Sequence, residues 1–161
     1  MSVFHDFIFF NEKEDKVVVK IGIEDEFLDF VNSEIEFDHN IYDSISTVNP
    51  CKVEKPYGDL IPSEKGFSYT GIMVVNHYSI KDLKAMFLQW MELLDKIEGD
   101  KYYYDLVYLS DDELNNLSQE EIKGLKEYYF EKKLLFEKLS CCLDHVVLLE
   151  DPHYILILEG I

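Results

Sequence analysis

Two apolar runs near the end of the chain, Val146-Val147-Leu148-Leu149 and Tyr154-Ile155-Leu156-Ile157-Leu158, most constrain what it can fold into. A strand with one wet face alternates apolar and polar residues. Runs that do not alternate belong to strands covered on both faces. Read together, they predict a C-terminal β-hairpin in the middle of a sheet. A long helical pattern leads into it. Ser118 and Glu121 have the S-x-x-E spacing of a capping box, and Ile122, Leu125, Tyr129, Phe136, Leu139 and Leu143 recur at three, four and seven. That spacing predicts one helix over about 119–144, lying on the sheet.

Earlier segments supply the rest of the sheet. Val3–Phe10 and Val17–Ile23 read as a hairpin around a polar turn. From Glu24 the pattern becomes helical, with Phe27, Leu28, Phe30, Val31 and Ile35 on one side and acids in the first turn, where the helix dipole favours them. Three of the four prolines fall within 38–65, which reads as an extended surface segment with short edge strands near 45–48 and 52–54. Phe67–His77 and Tyr102–Leu109 read as strands. Between them lies a helix over about 79–98, capped by Ser79, stopped by Gly99 and centred on Trp90. A right-handed crossover and an antiparallel return both fit this strand-helix-strand order. Ser110 and Glu113 open a short further helix. The expected fold is α+β in a single globular domain, 1–161: one mixed, mostly antiparallel sheet with two long helices (about 79–98 and 119–144) packed on it and a C-terminal β-hairpin. Its expected core is Phe87, Trp90, Leu94, Ile122, Leu125, Leu139, Val147, Leu149, Ile155 and Ile157.

Charge narrows the function. The 161 residues hold 33 acids and 15 bases, for a net charge of -18, and every base is lysine. Without arginine the chain lacks the best bidentate ligand for phosphate. Direct nucleic-acid binding needs a basic footprint, and anionic membranes would repel this surface. No apolar run approaches the ~20 residues of a membrane helix, and the N-terminus lacks signal-peptide features. Three cysteines, two of them adjacent, are no disulfide framework, so the expected compartment is the cytoplasm.

The reactive residues form no catalytic pattern. His145 and His153, near Asp144, Glu150 and Asp151, suggest acid-base chemistry, but capping or edge roles are the simpler reading. Cys141 and Cys142 diverge by about 100° on a helix and cannot easily share one zinc ion. His39 lies in an acidic turn. There is no glycine-rich phosphate loop, G-x-S-x-G or H-E-x-x-H. The expectation is a protein with no catalytic residues, metal or cofactor. Lys132 interrupts the apolar stripe of the long helix and must reach an edge or a carboxylate. Phe130, Leu134 and Cys141 form a second apolar line on that helix, which implies either a covering segment or an interface.

One stretch combines charge with aromatic residues. Between Lys20 and Lys52 there are eight acids and no base, and residues 1–43 alone carry 12 acids against 3 lysines. A solvated surface ordinarily mixes signs, because interspersed lysines relieve repulsion. We therefore expect a partner-binding surface at Glu24, Asp25, Asp29, Glu36 and Asp38, with Phe37 and Tyr42 as anchors. The partner would be a basic protein, such as a toxin or nuclease domain, with charge accelerating association. In general character the chain resembles bacterial immunity and antitoxin proteins; the resemblance is one of type and no motif carries it. The alternatives are a nucleic-acid mimic that inhibits a DNA- or RNA-binding enzyme, and a histidine-dependent enzyme or small-ligand sensor.

Overall fold

In the first strand, β1 (Phe4–Asn11), every second residue is buried: His5, Phe7, Phe9 and Asn11. This is the two-residue period of a sheet with one face on a core. β1 pairs antiparallel with β2 (Lys16–Glu24), setting Phe7 opposite Ile21 and His5 opposite Ile23. The helix α1 (Asp25–Glu34) follows β2 without a loop and buries Phe27, Leu28, Phe30 and Val31. A computed structural model describes residues 3–35, 41–68 and 70–160.

After α1 come a short helix, α2 (Ile41–Ser44), and two two-residue strands, β3 (Ser46–Thr47) and β4 (Glu64–Lys65), which pair with each other. Strand β5 (Ile72–Val75) leads through a 3-10 turn, His77–Ser79, into α3 (Ile80–Asp95). Beyond it lie β6 (Lys101–Tyr103), α4 (Asp111–Asn115), α5 (Gln119–Leu125), β7 (Tyr129–Glu131), α6 (Lys132–His145), a 3-10 turn Val146–Glu150 and β8 (Tyr154–Glu159). The main sheet has the order β2-β1-β8-β5, and every pairing in it is antiparallel. The architecture is α+β, with α3 and α6 forming a helical layer against one face of that sheet. β8 is inside the sheet, as its unbroken apolar run requires.

Trp90, in the middle of α3, is fully buried at the centre of the core. Its ring meets Phe7 and Phe27 edge-on at 6.3 and 5.9 Å, and Tyr42 lies 5.5 Å away. Such tilted and edge-on arrangements suit the ring quadrupoles.

The other sheet face is covered by the proline-rich segment, through Val48, Val74, Ile155, Tyr57 and Leu60. Buried polar groups fix that cover. Asn76 is fully enclosed, and its side-chain amide donates to the carbonyls of Tyr57 and Leu60, both at 2.8 Å. Glu12 accepts from the backbone N–H of Tyr57 and of Gly58. A Cβ on Gly58 would come within 1.7 Å of the Pro152 carbonyl oxygen, so only glycine fits there.

Four expectations need correction. The helix expected over 119–144 is two helices, α5 and α6, separated by β7. The break carries Phe130 into the core, where it stacks on Tyr102 at 4.9 Å and meets Phe27 and Phe30. Burying such a ring is worth about 2–3 kcal/mol, more than a few residues of helix propensity. The second apolar line expected on that helix therefore does not form: Phe130, in β7, is core, while Leu134, in α6, is exposed. Second, Val146–Glu150 is a 3-10 turn, so β8 has no hairpin partner there. Val146 and Leu149 point inward and Val147 outward, the three-residue repeat of that helix. Third, among the described residues of the two longer expected strands, the sheets take in Ile72–Val75 and Lys101–Tyr103 alone, and these belong to different sheets, so no crossover joins them. Fourth, Val147 is exposed, and Ile122, Leu125 and Ile157 are only partly buried; the other six expected core residues are buried.

Candidate partner-binding site

The first turn of α1 presents three consecutive acids, and the structure gives each a different role. Glu24, the residue before the helix, is 7 % exposed, and its Oε1 accepts from Lys138 Nζ of α6 at 2.9 Å. The Lys138 ammonium also lies 5.2 Å from the centre of the Phe4 ring. Glu24 is thus paired internally through Oε1, while its Oε2 is enclosed without a hydrogen-bond partner among the described residues. Asp25 accepts from His5 Nε2 at 2.7 Å while keeping part of its carboxylate in solvent. Glu26 is also 7 % exposed, and its enclosed Oε2 has no hydrogen-bond partner among the described residues. Such a group ordinarily costs about 1–3 kcal/mol in a folded protein.

One turn later, Asp29 is exposed on the same side of the helix. Its carboxyl lies above the ordinary range, chiefly through partial desolvation and then through repulsion by Asp25, with His5 acting in the opposite direction. Facing α1 is the turn that follows β6. The backbone N–H of Tyr104 donates to the Tyr128 carbonyl at 3.2 Å, extending the β6–β7 ladder by one bond. This bond joins the two segments that carry Tyr104, Asp105 and Tyr128. Together with Val3 and α1 they enclose a pocket of about 240 Å³, lined by Asp25, Glu26, Asp29, Asp105, Tyr104 and Tyr128. The lining has four carboxylates and no cation. Tyr104 and Tyr108 meet edge-on at 5.5 Å, and Tyr108 and Tyr128 are 60 % and 42 % exposed.

Asp25 and Asp29, expected at the surface, therefore share one pocket. Glu36, Phe37 and Asp38 lie outside the described residues. Tyr42 is not a surface anchor: it is 2 % exposed and packs on Trp90 and Phe67. Its place on the inner side of α2, against α3, took it into the core. Sequence spacing alone did not single out Glu26, Asp105 or Tyr128 as site residues. The run Tyr102-Tyr103-Tyr104 was the available signal, because a strand must send its middle residue to the opposite face. Tyr102 is buried, and Tyr104 reaches the pocket.

The histidines and cysteines have local partners. His145 Nδ1 donates to the Cys141 carbonyl at 2.7 Å, and the ring lies 5.5 Å from Phe9. His153 Nδ1 donates to Asp151 at 2.8 Å on the exposed final turn. His77 sits 3.3 Å from Asp59. His39 lies outside the described residues. Cys142 is fully buried, and burial raises its thiol far above the usual range. Among the described residues no group of three His, Cys, Asp or Glu side chains is placed to hold a metal ion. No helix among them is long and apolar enough to cross a membrane. Comparison with protein-family models, curated proteins and solved structures finds no significant match to this chain.

Proposed function

We infer that this chain is an acidic binding protein that neutralises a basic partner protein, in the manner of an immunity or antitoxin protein that masks a toxin such as a nuclease. The observation that carries this reading is the pocket beside α1, with four carboxylates, no cation and two tyrosines in its lining. Carboxylates held together without lysines repel one another, and an incoming cation relieves that repulsion. Tyrosines at the rim supply contact area with a polar tip and little entropy loss, which suits a binding surface. The net charge of -18 would speed encounter with a basic partner over a longer range than the pocket itself. A reducing cytoplasm is the compartment that suits the three free cysteines, of which Cys51 is exposed.

The test uses the reading frames adjacent to this gene. Each is expressed alone and together with this chain, and cell growth is followed. One neighbour is expected to be toxic alone and harmless in company, forming a complex that elutes earlier from an ion exchanger as salt rises. If no neighbour is neutralised, and low-salt purification from the source cell yields no stoichiometric basic partner, the reading fails.

A further inference from the structure

Of the features in this molecule, the pocket beside α1 carries an inference furthest, because it combines two independent observations. The first is the group of carboxylates Asp25, Glu26, Asp29 and Asp105 around about 240 Å³. The second is Glu26 itself. It is more than nine-tenths buried, lines this pocket, and has an enclosed Oε2 with no hydrogen-bond partner among the described residues. Oε2 is enclosed as the side chain stands, and turning the Glu26 carboxylate toward the pocket would let an occupant supply the donor it lacks.

The chemistry of the lining selects the occupant. A metal ion needs several oxygens converging on one point at about 2.0–2.6 Å, and no such group of three exists among the described residues. The acids come instead from two sides, α1 and the turn after β6. A compact ammonium can satisfy one side at a time. A guanidinium is planar, spreads its charge over five N–H donors, and stacks on aromatic rings, of which the pocket has two, Tyr104 and Tyr128. This chain has no arginine of its own to fill the space.

We propose that the pocket seats a single arginine side chain of the basic partner, its guanidinium donating to Glu26 and to Asp29 or Asp105 between the two tyrosines. The proposal rests on the reading that this chain binds a basic protein, and it names the group that the pocket recognises. Asp29 fits this role: its carboxyl is held above the usual range by desolvation and by Asp25, and a bound cation would reverse that shift.

The probe is Nα-acetyl-arginine methylamide, titrated into the full chain at constant ionic strength and followed by amide chemical shifts. Saturable shifts are expected in the first turns of α1, at 103–105 and at 128. The matching blocked lysine should bind several-fold more weakly. Glu26→Gln preserves shape and should weaken the arginine probe about tenfold, the loss expected for one charge-assisted hydrogen bond. Asp105→Asn, on the turn, repeats the measurement should Glu26→Gln fail to fold. Free L-arginine, whose carboxylate the acids repel, should bind more weakly than the blocked form. Absence of saturation, equal binding of the lysine probe, or unchanged affinity in both variants overturns the proposal. Tighter binding of free arginine also overturns it, by making the pocket a receptor for the amino acid. If the partner binds normally to variants that no longer take the probe, the proposed function stands and the pocket is excluded from it.

Discussion

Burial and neighbouring charges hold the protons of two side chains, Tyr102 and Asp29, more tightly than in the unfolded chain. Tyr102 is buried against Phe130, and burial, followed by the nearby Tyr108 and Glu34, pushes its hydroxyl from an ordinary 10 up to about 12. The folded state therefore holds this proton more tightly than the unfolded chain. The corresponding stability is complete below pH 10 and is lost as pH rises through about 12. Thermal melts across that window should show a steeper fall for the native chain than for Tyr102→Phe. Parallel curves would show that the hydroxyl is not held in this way. Asp29 has the opposite consequence at neutral pH. Its carboxyl is also raised, but there it is ionised, and the ionised form is the one the fold disfavours. Asp29→Asn should therefore raise the melting temperature at pH 7, and the gain should shrink as pH falls toward the ordinary 3.8. A lower melting temperature at pH 7 would mean that Asp29 has a stabilising partner. Retaining an acid at a cost to stability is common where a surface serves binding.

The elements that sequence spacing located best were those whose ends are signed locally. Both capping boxes form as written: Ser118 accepts from the Glu121 N–H while Glu121 accepts from the Ser118 N–H, and Ser110 with Glu113 does the same. Gly99, the expected stop after α3, takes the positive φ of 84° that glycine tolerates best. What spacing could not locate was decided by tertiary contacts. The interruption between α5 and α6 depends on a stack between Phe130 and Tyr102, 28 positions apart, which no local pattern contains. Lys132, which looked misplaced on a continuous helix, instead donates to the carbonyls of Asp95 and Ile97 at 3.0 and 2.9 Å, closing the C-terminal end of α3. The run 146–149 has no polar residue to mark its period, so strand and 3-10 turn were indistinguishable by sequence. The pocket shows the same division: Asp25 and Asp29 were legible from charge, whereas Asp105 and Tyr128 joined them only through the fold. The broken helix has a direct consequence. Phe130→Ala should cost about 3–5 kcal/mol, and Phe136→Ala, at a 40 % exposed position, well under half of that. A continuous helix with Phe136 in its buried stripe would reverse the order.

At the scale of the molecule, charge and fold act together. A sheet of order β2-β1-β8-β5 brings the first two strands against the last, and α1 leaves β2 directly. The acids of α1 are thereby attached directly to the main sheet. An acidic surface on a rigid support can steer a partner without first being ordered, and the benefit falls as salt screens it. The most direct test is the association rate of the proposed basic partner, once isolated, with the native chain and with the triple variant Glu26→Gln, Asp29→Asn, Asp105→Asn, measured from about 0.02 to about 0.5 M salt. Our account predicts association at low salt slower by about tenfold or more in the variant, with a shallower salt dependence and faster release. Superimposable rates for the two proteins across the whole range would contradict it.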